Sequence, residues 1–407
     1  MIFNVLKQYN AQQRVVILLF VLDIFAWLVA PFSKYSFSNM QIYSDIVCLL
    51  SLVFIGKGMT SNAYVNISLK YLFACLAIIF LPVVIYGDIP FVSVMSKMVF
   101  ATCFISLKPQ YKWAIYDIFV NVFTVILALG ILEWILMFVN INFFWAVVVR
   151  AGEQSFNHGI FILVPTYSFE GYARFMSLCE EPGNLGTICF FLLASLDYYK
   201  NKKQFFVFLA AGLISFSLGF YVLIGLWTLL QGRKLGMSNI ALGVVAVVLM
   251  MTLFGAFFQN RIVERVMGQT FESIDDRTDE TVENKIAEIS KDGTIFYGLG
   301  NRKFYDWQAK MGGSSAGMKN FILQYGIVGY VILLFSLSAL IFHIRGNNKN
   351  TWILILFVWI CFYKSNIWNY PPWLVPLLSV PVAISVGRNS SEKDNTKLLQ
   401  KFSTNNI

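Results

Sequence analysis

The residues best able to do chemistry lie where a polar connection becomes an apolar run. From Arg174 the chain reads RFMSLCEEPGNLG and continues into TICFFLL. Pro182 suits the first turn of a helix, where its missing N–H costs nothing. Gly183 and Gly186 let a ligand or a neighbouring backbone approach closely. A helix starting here offers unpaired N–H groups and the positive end of its dipole, a ready anion site. Glu181 and Glu180 sit at its mouth, where a carboxylate could take a proton, with Arg174 just upstream. The plainer alternative is a capped helix start in which Glu181 balances the dipole. Residue types alone leave both open.

A second polar stretch runs from about residue 260 to residue 317. Between Arg261 and Lys310 it holds eight basic and ten acidic residues, among them Arg261, Arg265, Arg277 and Arg302. Such mixed charge fits a solvated face. It also fits an anion site, because the planar guanidinium donates two parallel hydrogen bonds to phosphate. Within it, DETVENKIAEISKDG puts Val282, Ile286 and Ile289 on one helical face, with Gly293 as a C-cap. That pattern predicts an amphipathic helix lying on the membrane or on the span bundle.

Other chemistries find little support. His158 and His343 are the only histidines, far apart in the chain. Cys48, Cys75, Cys103, Cys179, Cys189 and Cys361 have no metal-ligand spacing, and nearly all fall in apolar runs where cysteine behaves as a small apolar residue. A metal cage or a serine–histidine triad is therefore not expected.

The elements that position these residues follow from composition. Of 407 residues, 57% are hydrophobic and 13% charged, against roughly 25% charged in soluble domains. The apolar excess is gathered in runs of roughly 17–25 residues, the length that spans a bilayer as a helix. Spans are expected to start near Arg14, Gln41, Lys70, Phe91, Trp113, Gly183, Gln204, Ser217, Asn239, Met318, Thr351 and Trp373. The fold class is thus an all-α polytopic membrane protein of about twelve transmembrane helices. It forms one integral membrane domain over residues 1–407. The stretch 204–231 reads as two short helices broken at Ser215, Ser217 and Gly219. The first apolar run reads as a permanent span rather than a signal peptide.

Short cytoplasmic loops are enriched in lysine and arginine. Lys7, Lys57, Lys108, Lys112, Lys202, Arg233, Arg345 and the polar tail 388–407 mark one side. Both termini then lie in the cytoplasm, and the long connections 140–182 and 260–317 lie outside. A basic face on anionic lipid accounts for most of the +9 net charge without nucleic acid. Asp23, Asp45, Lys97, Asp117 and Glu133 fall inside spans and must find partners within the bundle. Lys97 and Glu133, at similar depth, are expected to pair.

These motifs carry a family resemblance. R-F-x-S-L-x-E-E-P-G-N-L-G resembles the arginine, Glu-Pro and glycine signature ahead of a central span in O-antigen polymerases of the Wzy type. Ser217-Leu218-Gly219-Phe220-Tyr221 is similar to the serine–glycine turn that follows. Arg277, Gly298-Leu299-Gly300 and NFILQYGIVGYV resemble the large outer loop and its return into the membrane. Related ligases often carry an arginine beside the turn serine, where Leu218 stands. They also tend to have a histidine ahead of the return motif, where Ser315 stands. Both departures favour a polymerase.

The resemblance implies a glycosyltransferase in the bacterial inner membrane that needs neither metal nor cofactor. It would transfer a growing glycan from undecaprenyl pyrophosphate to the sugar of another lipid-linked repeat unit, building O-antigen or capsule. Arg174, Arg261, Arg265, Arg277 and Arg302 become pyrophosphate-binding candidates. Glu181 becomes the candidate base and Glu180 its runner-up, while Tyr221 either lines the cleft or is a buried structural tyrosine. Membrane lipids and a chain-length regulator protein are the other implied partners. An O-antigen ligase-like transferase and a lipid-linked oligosaccharide flippase remain the alternative classes.

Overall fold

The computed structural model describes residues 5–28, 40–87, 92–138, 141, 146–149, 155–165, 174–179, 181–196, 200–231, 280–311, 317–364 and 370–379. The described chain is predominantly helical. Four of its helices are long and apolar enough to cross a membrane: α1 (Ala11–Leu28), α3 (Asn62–Tyr86), α5 (Pro109–Phe138) and α11 (Gly317–Arg345). The remaining helices of the bundle are α2 (Met40–Phe54), α4 (Val92–Ser106), α6 (Pro182–Ser195), α7 (Lys202–Ile214), α8 (Leu218–Gln231), α12 (Lys349–Lys364) and α13 (Pro371–Ser379). These long apolar helices are those of a membrane protein. Their starts follow the apolar runs closely, except that α3 begins at Asn62, about two turns before Lys70. The expected span from Asn239 lies outside the described residues.

As expected, the 204–231 stretch is broken. α7 ends at Ile214 and α8 begins at Leu218, with Phe216 at φ 48° between them. The all-α expectation needs one amendment. The connection 140–182 contains a small antiparallel sheet, β1 (Ala146–Val149), β2 (Ser155–His158) and β3 (Leu163–Pro165), in that order. Val148 faces Phe156 and Asn157 faces Val164 in its register. The run of valines in β1 favours the extended state.

Both long connections dock at the same end of the bundle. Lys108 N–H bonds Met59 O at 2.9 Å, and Lys112 Nζ lies 4.3 Å from the Tyr64 ring centre. α3 and α5 therefore start together at one end. Ser68 Oγ, near the start of α3, bonds Thr102 O, near the end of α4, at 2.7 Å, so that α4 returns antiparallel to α3 and α5 runs parallel to it. The C-terminal parts of α3 and α5, which carry Tyr86 and Glu133, then lie together at the opposite end. The second connection reaches Tyr86, and the first reaches Glu133.

Burying polar groups in a low dielectric favours hydrogen bonding, and both buried aspartates of the bundle make such bonds. Asp23 and Asp45 are fully buried; Ser44 Oγ bonds Asp23, and Trp27 Nε1 bonds Asp45 Oδ1 at 3.2 Å. Two residues that look like loop charges in the sequence are drawn into the protein instead, Lys112 buried and Arg345 partly so. Lys112 packs on Tyr64, and Arg345 Nε bonds Leu377 O of α13 at 2.9 Å.

Candidate functional site

Helix α6 starts as its sequence predicts. Pro182 occupies the first turn, and Glu181 is the N-cap in an extended conformation. The Glu181 side chain makes no capping bond and is exposed. Only its backbone carbonyl works in the helix, accepting from Asn184 N–H at 3.1 Å and Leu185 N–H at 3.2 Å. One turn further on, Gly186 packs against the break between α7 and α8. A Cβ there would lie 2.9 Å from Ser217 Cβ and 3.0 Å from Phe220 Cβ. The glycine of the first motif thus admits the serine turn of the second.

Arg174 joins the same contact from the other side. Its Nε donates to Ser215 O at 3.2 Å and its Nη2 to Phe216 O at 2.9 Å. Those carbonyls lie at the C-terminal end of α7, where a cation is favoured and unpaired C=O groups need donors. Tyr221 Oη donates to Leu213 O at 2.7 Å on the same helix end. In this structure, then, Arg174 and Tyr221 are helix-end ligands that tie the α6 approach to the α7–α8 turn.

A third group completes the constellation. Glu133 of α5 is buried, and each carboxylate oxygen accepts one backbone amide of the β2–β3 turn. Ile160 N–H bonds Oε1 at 2.8 Å, and Phe161 N–H bonds Oε2 at 2.7 Å. Backbone amides of the first connection thus reach both oxygens; the side chain of Lys97, its expected partner, lies outside the described residues. Among the described residues, Ser177 (φ 49°) and Phe216 (φ 48°) are the non-glycine residues with positive φ. They sit on either side of the Arg174 contact. Such conformations cost about 1–3 kcal/mol each and cluster at functional sites.

No family model, curated protein or solved structure matches this chain. The site rests on its own geometry.

The second connection forms a separate unit. α9 (Glu280–Lys291) buries Val282 and Ile289 against Leu299, Phe304 and Leu323. Its apolar face is therefore spent on the protein, which decides between the two placements its sequence left open. Gly293 takes the left-handed conformation expected of a C-cap, at φ 76°. α10 (Asn301–Met311) follows, with Lys303 Nζ 4.4 Å from the Tyr86 ring centre. α11 is interrupted at Gly326, at φ 75° and ψ 172°. There Leu299 N–H bonds Leu323 O at 2.7 Å and Gly300 N–H bonds Gln324 O at 3.0 Å. The buried Asn301 Oδ1 accepts from Gln324 Nε2 at 2.6 Å and Tyr325 Oη at 3.1 Å.

Of the residues singled out by sequence, Arg174, Tyr221 and the Glu181 helix start come together around the α7–α8 turn. Arg302 lies exposed on α10 in the second unit. Glu180, Arg261, Arg265 and Arg277 lie outside the described residues. Sequence reasoning missed Ser177, Gly159 and the backbone partners of Glu133. A buried acidic residue followed later by a histidine–glycine turn is a faint signal at most.

Proposed function

We propose that this protein is a polymerase of lipid-linked oligosaccharides, working at the end of the bundle that carries both long connections. One observation supports the reading above others. The two stretches that resemble Wzy-type polymerases pack directly on one another, through Gly186 on Ser217 and Arg174 on Ser215 and Phe216. On this reading the chain has about twelve spans and lies in the bacterial inner membrane with that end outward.

The chemistry follows from the groups present. The glycosidic carbon of the growing chain breaks its bond to the pyrophosphate oxygen and bonds to a hydroxyl oxygen of the incoming unit. Glu181 takes the hydroxyl proton. The departing pyrophosphate carries its electron pair away as an anion. Arg174, the N-terminal end of α6, and Arg302 with Arg261, Arg265 and Arg277 stabilise it. A carboxylate used as a base must be free to reach substrate, and the exposed Glu181 side chain, unused as a cap, meets that need.

The deciding experiment uses purified full-length protein with lipid-pyrophosphate repeat units, scored by ladder length. Glu181→Gln keeps the shape, disturbs no capping bond of α6, and removes proton acceptance. The expected loss is on the order of a hundredfold to ten-thousandfold in rate. A normal ladder from well-folded Glu181→Gln would remove Glu181 as base. Absence of any ladder from the unaltered protein would sink the polymerase reading itself.

A further inference from the structure

Glu133 has no role in the chemistry above, yet it is tied to the candidate site by an unbroken run of contacts. Its carboxylate holds two consecutive backbone amides, those of Ile160 and Phe161. The fit is tight on both sides. A Cβ on Gly159 would come within 2.1 Å of Glu133 Oε1, and a Cβ on Gly130, nearly one turn before Glu133, would lie 3.1 Å from Phe161 O. Phe161 O in turn accepts from Ser177 Oγ at 3.2 Å, and Leu163 N–H bonds Ser177 O at 3.0 Å. Ser177 is thereby pinned in its left-handed conformation. From there the strand runs back through Phe175, whose ring meets Trp134 edge-on at 6.3 Å and whose N–H bonds Ile214 O at 3.3 Å. It ends at Arg174 on the α7–α8 turn.

We propose that Glu133 is a positioning residue: its carboxylate clasps the tip of the β2–β3 hairpin and thereby keeps the Arg174–Cys179 segment docked on the α7–α8 turn. Two amides facing one buried side chain require an acceptor at both places, which the two oxygens of a carboxyl group supply. Glutamine would turn an NH2 towards one of them and leave two donors facing each other in a buried place. That shifts the docked-to-released ratio by roughly ten- to a hundredfold. Because the clasp acts through the hairpin and Ser177, its loss loosens the segment and leaves the bundle intact.

The native Cys179 is a built-in probe, two residues past Ser177 and fully buried. Detergent-solubilised full-length protein is treated with a maleimide, and labelled cysteines are mapped by peptide mass spectrometry. In Glu133→Gln, Cys179 should react at least about tenfold faster than in the unaltered protein, while Cys48 and Cys75, buried deep in the bundle, stay protected. Gly159→Ala, which pushes the turn off the carboxylate, should give the same pattern. Unchanged Cys179 labelling in Glu133→Gln overturns the proposal. So does equal labelling of Cys48 and Cys75, which would make Glu133 a residue of the general fold.

A second readout rests on the polymerase reading. If released and docked states exchange, substrate draws the protein back to the docked form, and apparent affinity falls by the docked fraction. Glu133→Gln should then raise the half-saturating concentration of lipid-linked units and keep the maximal rate. A lowered maximal rate at unchanged half-saturation marks an inactive fraction and overturns positioning. Failure of the unaltered protein to polymerise would sink the polymerase reading, while the labelling result stands by itself.

Discussion

The two long connections dock on the same end of the bundle with different contacts in the lead. The first is held by charged side chains gripping backbone: Glu133 on the amides of Ile160 and Phe161, Arg174 on the carbonyls of Ser215 and Phe216. The second is held backbone to backbone at glycines, with an apolar cluster of Val282, Ile289, Leu299, Phe304 and Leu323 beneath it. Charged groups bonded to buried dipoles make strong contacts, but each depends on a single side chain. A glycine crossing cannot be undone without moving main chain. The contrast makes the second connection a fixed platform and the first the part whose docking can be altered. The strained residues agree, since Ser177 lies in the first and Phe216 in the α7–α8 turn on which it docks.

The largest test strikes the platform. Gly326 is at φ 75°, and a Cβ there would sit 2.2 Å from Phe296 O, with further backbone atoms of Phe296 and Tyr297 at 2.5 Å. No flexible side chain can yield. Gly326→Ala should therefore combine left-handed strain of about 1–3 kcal/mol with overpacking of similar size, and much of the folded protein should be lost. Thermal unfolding in detergent, followed by gel filtration, measures it. A Gly326→Ala protein as stable as the original would mean that the second connection is not keyed by backbone.

An intermediate effect is expected in the first connection. Arg174→Ala removes two bonds from a charged donor, worth about 1.5–3 kcal/mol. Arg174→Lys should recover little of that, because a single ammonium cannot span carbonyls that a planar fork reaches together. The same unfolding measurement on both variants decides the point. Full recovery by lysine would reduce Arg174 to a point charge at a helix end and blur the contrast.

The smallest effect lies on the surface of the platform. Thr294 N–H donates to Asp292 Oδ1 at 2.9 Å, and this backbone bond holds the exposed Asp292 carboxyl below its usual range. A group whose pKa is lowered by folding contributes stability above its unfolded pKa and loses it as pH falls through the lowered value. Asp292→Asn should thus flatten slightly the decline of the unfolding midpoint below the ordinary carboxylate range. An unchanged pH profile would leave this turn without electrostatic weight.

Much of this was legible in the chain itself, and the reasons are local. The α9 face of Val282 and Ile289, the left-handed Gly293 and the Pro182 helix start depend on residues within a turn or two of one another. The break near Ser215 also shows in composition. The partners of Glu133 do not. They lie 27 and 28 residues away and are backbone amides, which carry no residue identity. A reading of side chains alone offers Lys97 as a partner and cannot offer amides. Lys112 and Arg345 are hidden for a related reason. A basic residue beside an apolar run reads as a loop marker, and only packing places it over the Tyr64 ring or on the carbonyls of α13.

Hydrophobic periodicity and length by themselves determine a membrane protein built of apolar helices, with its polar chemistry confined to two long connections. They do so because a bilayer tolerates few other patterns. Which groups meet is decided only by tertiary structure. Arg174 could have faced solvent, and Glu133 could have met no backbone at all. That one caps α7 and the other holds a hairpin follows from where the end of α5 and the α7–α8 turn come to lie. Buried hydrogen-bond partners are chosen by three-dimensional proximity in a medium without water, and backbone groups there compete on equal terms with side chains.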